Sequence, residues 1–221
     1  MKTNEDLQRD VERAISWEPQ LSSAEIGVIV KDGVVTLTGT VDNYSKKLEA
    51  EDAAKNVNGV KVVVEKILVR FNGTSMAGRE DTEIAIDIVN ALKGKWQVPH
   101  DKVKVMVEDG WVSLEGVLHW NFEREAVEKA ITHLAGVKGI SNEITIQSTI
   151  DNEIRREEVE AALARNGSID DVDILVHAFG RTVTLRGTVT SLFQKNEAGR
   201  TAWKTPGVWI VDNALVVEPE D

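Results

Sequence analysis

The side chains that could carry chemistry are few and scattered in this 221-residue chain. Histidine is the commonest protein ligand for transition metals and the usual proton carrier near neutral pH, and none of the four is spaced i, i+4 from another: His100, His119, His133 and His177. The chain contains no cysteine, which excludes disulfides and Cys-ligated zinc or iron–sulfur centres. We therefore predict no metal site and no cofactor.

Nucleophilic and acid–base motifs are also missing from the sequence. No G-x-S-x-G elbow occurs, and the 37 acidic residues form no recognisable pair across a cleft, as expected of a solvated surface. Gly136-Val137-Lys138-Gly139 has the G-x-x-G spacing with which KH domains hold a nucleic-acid backbone. It occurs once, in an acidic chain, and we interpret it as a turn. We predict no catalytic residues and no enzymatic activity.

The charge balance argues against polyanionic partners. The formal net charge is −11, and each third is acidic, with 10 basic against 12 acidic residues in 1–72, 8 against 12 in 73–148 and 8 against 13 in 149–221. Because nonspecific nucleic-acid binding depends on Lys/Arg clusters that release counterions, we predict no nucleic-acid partner. The polar amino-terminal residues contain no apolar leader, which predicts a cytoplasmic location.

The elements that would position any site come from an internal repeat. Asp32–Gly39, DGVVTLTG, returns as Asp109–Gly116, DGWVSLEG, and as Gly180–Gly187, GRTVTLRG. The offsets are 77 and 71 residues, and a second Gly-Val anchor at Gly59, Gly136 and Gly207 obeys the same offsets. We predict three tandem modules at residues 1–72, 79–148 and 149–221, called copies one, two and three below.

Within each copy the periodicity predicts helix, strand, strand, helix, strand. Helical spacing places Leu7, Val11, Ala14 and Ile15 on one face of the first helix, with Thr3 and Asp6 as a capping box. The dipeptides Asp32-Gly33 and Asp109-Gly110 favour a type I′ hairpin turn, and Gly180-Arg181 favours type II′. The fold class predicted is α+β, with a three-stranded mixed sheet and two helices on one sheet face in each copy.

The second strand of each copy predicts which sheet face is buried. Apolar residues alternate with polar ones, and a glycine falls on the apolar face at Gly39, Gly116 and Gly187. We expect these glycines to be structural and to let a helix approach the sheet closely. The anchor glycines Gly59, Gly136 and Gly207 are likewise interpreted as structural.

The repeat resembles the BON domain, a bacterial module named for osmotically induced and nodulation proteins. The resemblance is carried by I-x-V-x-V-x-D-G-V-V-T-L-T-G-x-V at Ile26–Val41 and by G-V-x-x-V-x-N-x-L-x-V at Gly207–Val217, and it extends over all three copies. It implies a non-enzymatic, transport-associated binding module, often linked to osmotic stress, that binds phospholipid or another component of the cell envelope.

Comparison of the copies picks out aromatic residues that stand where a sibling copy has a small or polar residue. These are Trp111, Trp120, Phe122, Trp203 and Trp209. Polar residues at the equivalent positions predict that these rings lie at the surface, where they pack one copy against another or form a ligand or partner surface. Trp17 and Trp96, which follow the first helices, are expected to cap the edge of the core.

Two functions remain open from the sequence. The first is phospholipid or cell-envelope binding, which the resemblance alone supports. The second is a structural scaffold in which the tandem copies bind a protein partner or another copy of the chain. Because every copy is acidic, any binding to anionic vesicles is expected to be weak and not to weaken further as salt rises.

Overall fold

The computed structural model describes residues 2–21, 26–71, 79–96, 98–148, 154–169 and 173–218. The predicted αββαβ order is confirmed in all three copies. Copy one contains α1 Asn4–Trp17, β1 Ile26–Lys31, β2 Val34–Val41, α2 Tyr44–Lys55 and β3 Val62–Val69. Copy two contains α3 Asp81–Lys93, β4 Val103–Glu108, β5 Trp111–Leu118, α4 Asn121–Ile131 and β6 Gly139–Ile146. Copy three contains α5 Arg156–Ala164, β7 Ile174–Phe179, β8 Thr182–Val189, α6 Leu192–Trp203 and β9 Ile210–Val217.

The chain divides into two compact units. One comprises Met1–Gly39, Glu49–Lys66 and Ser148–Asp221, and the other comprises Thr40–Leu48 and Ile67–Gln147. The first unit therefore holds copy three and most of copy one, and the second holds copy two. The predicted module boundaries at residues 72, 149 and 221 lie outside the described residues.

Each copy has its own three-stranded sheet with the hairpin's second strand in the centre. In copy two, β4 pairs antiparallel with β5, and β6 pairs parallel with β5 from Trp111↔Gly139 to Leu118↔Ile146. Copy three has the same register, displaced by 71 residues. The parallel strand follows the second helix because a parallel connection needs a crossover.

The hairpin turns have the predicted chemistry. Asp32 and Gly33 have φ of 53° and 81°, and Asp109 and Gly110 have φ of 50° and 78°, as a type I′ turn requires at both central positions. Of the two central residues of the copy-three turn, Gly180 has a positive φ of 57° and Arg181 does not, as expected where the glycine comes first.

The first helix of copy one begins at the predicted cap and buries the predicted face. The hydroxyl of Thr3 accepts a hydrogen bond of 3.1 Å from the Asp6 backbone N–H, which caps α1. Leu7, Val11 and Ile15 are buried below it. The sequence comparison missed a second contact at the helix start in copy two, where the Asp81 carboxylate accepts hydrogen bonds from the turn N–H groups of Asp109, 2.8 Å, and Gly110, 2.9 Å.

The core of each sheet lies on the face predicted from strand two. In copy three that face joins residues from both helices and all three strands, so both helices pack on one side of the sheet: Val159, Leu163, Val176, Val183, Leu185, Val189, Ala198, Ala202 and Leu215. The equivalent residues of copy two, Val112, Leu114 and Leu118, are also buried. The outer face carries no helix of its own copy.

The strand-two glycines are needed for a different reason from the one expected. A β-carbon at Gly116 would overlap the backbone carbonyl of Lys102, and one at Gly187 would overlap the carbonyl of Asp173. Both carbonyls belong to the segment entering the preceding strand, so the close neighbour is backbone of the same hairpin and not a helix. The expectation of a helix approach at these positions is wrong.

The close helix approach occurs instead at the anchor glycines. A β-carbon at Gly136 would lie 2.6 Å from Cδ1 of Ile84 in α3, and one at Gly59 would lie 3.3 Å from Cδ1 of Leu7 in α1. Both glycines also have positive φ, 95° and 105°. The turn before the third strand therefore needs glycine both for its backbone conformation and for helix packing.

Candidate functional site: an aromatic end of the second copy

The five aromatic residues selected from the sequence do not form one cluster. Trp111 begins β5, whereas Trp120 and Phe122 follow its other end. A strand of eight residues is roughly 25 Å long, so these rings lie at opposite ends of the sheet of copy two. Trp203 and Trp209 belong to copy three. Each location is therefore treated separately.

Trp111 lies on the outer sheet face and is 54% exposed. Its six-membered ring lies against Gly139, the residue that pairs with Trp111 on β6. A β-carbon at Gly139 would overlap three atoms of that ring. The ammonium of Lys47 lies 5.8 Å from the ring centre. One side of the indole is thus packed on a glycine of the neighbouring strand, which gives this ring a structural contact within its own sheet.

Trp203 and Trp209 are half-buried within copy three. Trp203 packs against that copy's hydrophobic core. The guanidinium of Arg181 lies 5.3 Å from the Trp209 ring centre, and the ring N–H is buried with no hydrogen-bond partner in the described part of the chain. These two rings stabilise their own copy, although the equivalent positions of copy one hold the polar residues Lys55 and Lys61.

Trp120 and Phe122 stack at the start of α4, with ring centres 6.3 Å apart and planes inclined by 24°. Phe122 is 54% exposed, and Trp120 is half-buried. The carboxylate of Glu123 accepts hydrogen bonds of 3.0 Å from the backbone N–H groups of His119 and Trp120. This contact holds the loop between β5 and α4, and with it the stacked pair, in one conformation.

The prediction that Trp17 and Trp96 cap the core edge is wrong. Trp17 is 81% exposed and Trp96 is 91% exposed. Trp17 follows the buried Ile15 by two residues, a rotation of about 200° on a helix, which turns it to the side opposite the core. Trp96 lies beyond the end of α3, after Gly94. The first-helix pattern contained this information for Trp17, which does not fit the i, i+4 series Leu7, Val11 and Ile15. Trp96 does continue the spacing of Ile84, Ile88 and Leu92, but α3 ends at Lys93, so the helical face does not extend to it.

Trp96 lies at the same end of copy two as the stacked pair. The start of α3 is bound to the hairpin turn through Asp81, so the helix ends at the opposite end of the sheet. There a 3₁₀ turn, His100–Lys102, leads into β4, and Lys102 Nζ lies 3.0 Å from Nε2 of His119. We call Trp96, Trp120 and Phe122 the aromatic end.

The charges at the aromatic end are mixed. Lys93, Lys95 and Lys102 are exposed there, beside the exposed carboxylates of Asp101 and Glu125. His119 Nδ1 lies 2.9 Å from the carbonyl of Gln147, which ties the end of β6 to the same loop. Burial lowers the pKa of the Arg124 guanidinium below its usual range, against the opposing effect of Glu125 and Glu128. An arginine with this shift is still cationic at neutral pH.

Among the described residues no group of three or more His, Asp or Glu side chains is placed to hold a metal ion. No helix in the same part of the chain is long and apolar enough to cross a membrane. The arrangement offers aromatic rings and ammonium groups for binding. The architecture defines a tandem αββαβ repeat protein with exposed aromatic surfaces.

The chain belongs to the BON domain family. The family model matches residues 3–70, 80–148 and 151–219, one match for each copy. The chain is also 31% identical over 136 residues to Osmotically-inducible protein Y of Escherichia coli (strain K12), an alignment covering 61% of this chain and 68% of that protein. It is thus akin to a protein induced by osmotic stress.

Two solved structures align with most of the chain at low similarity. The C-terminal domain of CdsD, the structural protein of the type III secretion system of Chlamydia trachomatis, is 17% identical, with a TM-score of 0.26 and coverage of 99% of this chain and 100% of that one. The PrgH periplasmic domain is 11% identical, with a TM-score of 0.22 and coverage of 89% and 96%.

Proposed function

We propose that the chain is a non-catalytic binding protein whose second copy attaches to the interfacial layer of phospholipid membranes through its aromatic end. The observation that carries the proposal is Trp96, a tryptophan 91% exposed at the same end of copy two as the Trp120–Phe122 stack. A solvent-exposed indole is unfavourable in water and favourable among lipid headgroups, where its ring is apolar and its N–H can be hydrated.

The residues beside Trp96 support a membrane over a protein ligand. Lys93 and Lys95 are both exposed within three residues of the ring. If the ring enters the headgroup layer, these ammonium groups reach the level of the lipid phosphates while their aliphatic stems follow the ring. Phe122, 54% exposed, adds a second apolar group at this end.

Vesicle co-sedimentation of the full chain tests the proposal. Vesicles of phosphatidylcholine, alone or with phosphatidylglycerol, are mixed with the wild type and with Trp96→Ala and Phe122→Ala. We expect the membrane-bound fraction to fall in both variants, and to fall further for Trp96→Ala, because the larger and more exposed ring is lost. Circular dichroism of each variant checks that folding is unchanged.

Trp17→Ala is the matched control. Trp17 is similarly exposed and is the last residue of α1, but its chain neighbours are Ser16 and Glu18, whereas Lys95 precedes Trp96. The variant is expected to bind vesicles as the wild type does. Equal loss in Trp17→Ala and Trp96→Ala, or wild-type binding by Trp96→Ala, would overturn the assignment to the aromatic end. Fractionation of the producing cells tests the cytoplasmic location predicted from the sequence.

A further inference from the structure

The outer sheet face of copy three carries two large exposed apolar side chains on each of its flanking strands. On β7, Phe179 is 90% exposed and Leu175 is 64% exposed. On β9, Ile210 and Val216 are 55% and 54% exposed. Alternation along the pleat places all four on the face opposite the core. Four large apolar side chains on one face exceed the scattered exposure usual for a protein surface.

The central strand makes this face a trough between two apolar ridges. Thr182 pairs with Phe179 on one side and Ile210 on the other, and Thr184 pairs with His177 and Asp212. The next outward residue, Arg186, pairs with Leu175. The short side chains of Thr182 and Thr184 therefore form a shallow groove between the larger apolar side chains of β7 and β9. The large side chains of an identical face on a second molecule can fit into this groove.

We propose that this face binds the same face of a second copy of the chain, with the two molecules related by a two-fold axis. The face carries one exposed cation, Arg186, and one exposed anion, Asp212, on adjacent strands. Neither makes an ion pair with another described residue. A two-fold axis that lies in the plane of the interface and bisects the line from Arg186 to Asp212 at a right angle brings each Arg186 opposite the Asp212 of the other molecule, as an isologous contact requires.

Charge favours an identical partner over another acidic surface or a strongly basic one. The whole chain carries a net charge of −11, so two molecules repel one another over most of their surfaces. On this face the formal charges of Arg186 and Asp212 cancel, with His177 counted as neutral. Two such faces meet without net repulsion, and the arginine–aspartate pairs fix their relative orientation.

The size of the face predicts a weak dimer. Three strands about 4.8 Å apart and six to eight residues long cover on the order of 300 Å² of flat sheet. Stable interfaces bury roughly 800 Å² of accessible surface per partner. The association is therefore expected to be reversible and visible only at high protein concentration.

Sedimentation velocity of the full chain over a wide concentration range tests the proposal. The wild type is expected to sediment faster as concentration rises. Phe179→Asp, which places a charge on the most exposed ridge residue, should raise the dimer Kd at least about tenfold. Met106→Asp is the matched control, because Met106 is 59% exposed on the outer face of copy two. It should leave the Kd unchanged.

Reversal of the charges tests the two-fold contact itself. Arg186→Asp and Asp212→Arg should each self-associate less than the wild type, but an equimolar mixture should form a heterodimer, since every cross-interface pair is then of opposite sign.

A chain that stays monomeric at all concentrations, or a mixture that behaves as its separate components, would overturn the proposal. So would retained dimerisation in Phe179→Asp accompanied by lost vesicle binding, which would assign the face to a membrane instead. The aromatic-end variants used above lie outside this face, so the two proposals can fail independently.

Discussion

The backbone carbonyl of Lys102 occupies the space that any side chain at Gly116 would require. Lys102 is the last residue before β4, and Gly116 pairs with Val103 at the start of that strand. The glycine therefore lets the chain enter the hairpin close to the central strand. Its φ of 155° also departs from the usual range of a strand residue.

Gly116→Val is accordingly expected to lower the stability of copy two. Either the backbone at Lys102 moves or the side chain is strained, and overpacking of this kind costs about 1–3 kcal/mol. Glu115→Val, on the exposed face, should change stability by less than about 0.5 kcal/mol. Thermal unfolding followed by circular dichroism measures both. A larger loss in Glu115→Val would mean that the two sheet faces are assigned the wrong way round.

Most of the fold was predictable because its signals are local and occur three times. The Asp-Gly turns, the alternation along strand two and the spacing of Leu7, Val11 and Ile15 each depend on neighbours in sequence. The reason for Gly116 was not predictable in this way. Its partner, Lys102, is fourteen residues away and contributes only a backbone carbonyl. Because every residue has that carbonyl, the amino-acid sequence does not indicate the contact.

The candidate site was predicted less well for a related reason. Substitution between copies identified Phe122, but it gave the same weight to Trp203, which packs on a core. It did not indicate Trp96, because copy one also has a tryptophan near the end of its first helix, Trp17, and the comparison marks only rings that a sibling copy lacks. The exposed apolar residues of the outer face of copy three lie on β7 and β9, whereas the outward residues of β8 include Thr182 and Thr184, so the pattern of the second strand alone predicts a polar face.

Asp81 is predicted to stabilise the hairpin of copy two. Its carboxylate joins the start of α3 to two turn N–H groups, and removing it leaves Gly110, a buried residue, without that acceptor. Asp81→Ala should cost about 1–3 kcal/mol in urea unfolding. Asp81→Asn should cost less, because one acceptor oxygen remains, as in copy one, where Asn4 Oδ1 accepts from the Asp32 N–H. Equal losses in the two variants would contradict a role based on the acceptor.

The helix cap of copy one predicts a specific acid titration. The Thr3 hydroxyl, 2.7 Å from Oδ2 of Asp6, lowers the pKa of that carboxyl below its ordinary 3.8, and Arg9 acts in the same direction. A lowered folded-state pKa means that this contribution to stability is present above pH 3.8 and is lost as pH falls through the folded pKa. In a carbon-detected NMR titration, Thr3→Ala should move the Asp6 midpoint back towards 3.8. An unchanged midpoint would show that the hydroxyl does not bind the carboxylate in solution.

Membrane binding is predicted to resist salt. The lysines of the aromatic end are few beside a net charge of −11, so insertion of rings, not attraction to anionic lipid, should provide most of the affinity. Raising salt from about 50 to 500 mM shortens the screening length from roughly 14 to 4 Å and should not reduce the bound fraction on phosphatidylglycerol vesicles. A steep fall across that range is the behaviour of a basic patch and would contradict the mechanism.

The last prediction concerns Trp203, where comparison of the copies and the structure disagree. The equivalent residue in copy one is Lys55, which suggests that lysine is acceptable at this position. In the structure Trp203 is half-buried against the core of copy three, so Trp203→Lys removes apolar contact and brings an ammonium group towards that core. A fully buried aromatic residue contributes about 3–5 kcal/mol, and about half of that is expected here.

Phe122→Ser is the matched control, because it replaces an exposed ring with the residue type at the equivalent position of copy one, Ser45. It should cost less than about 0.5 kcal/mol. Urea unfolding of both variants decides between the two views. If both variants lose less than about 0.5 kcal/mol, a polar residue at the equivalent position of another copy is a reliable sign of exposure, and the packing of Trp203 does not stabilise copy three. If only Trp203→Lys is destabilising, each copy has adapted its own core, and an aromatic residue gained in one copy marks a surface only where the structure leaves that ring exposed.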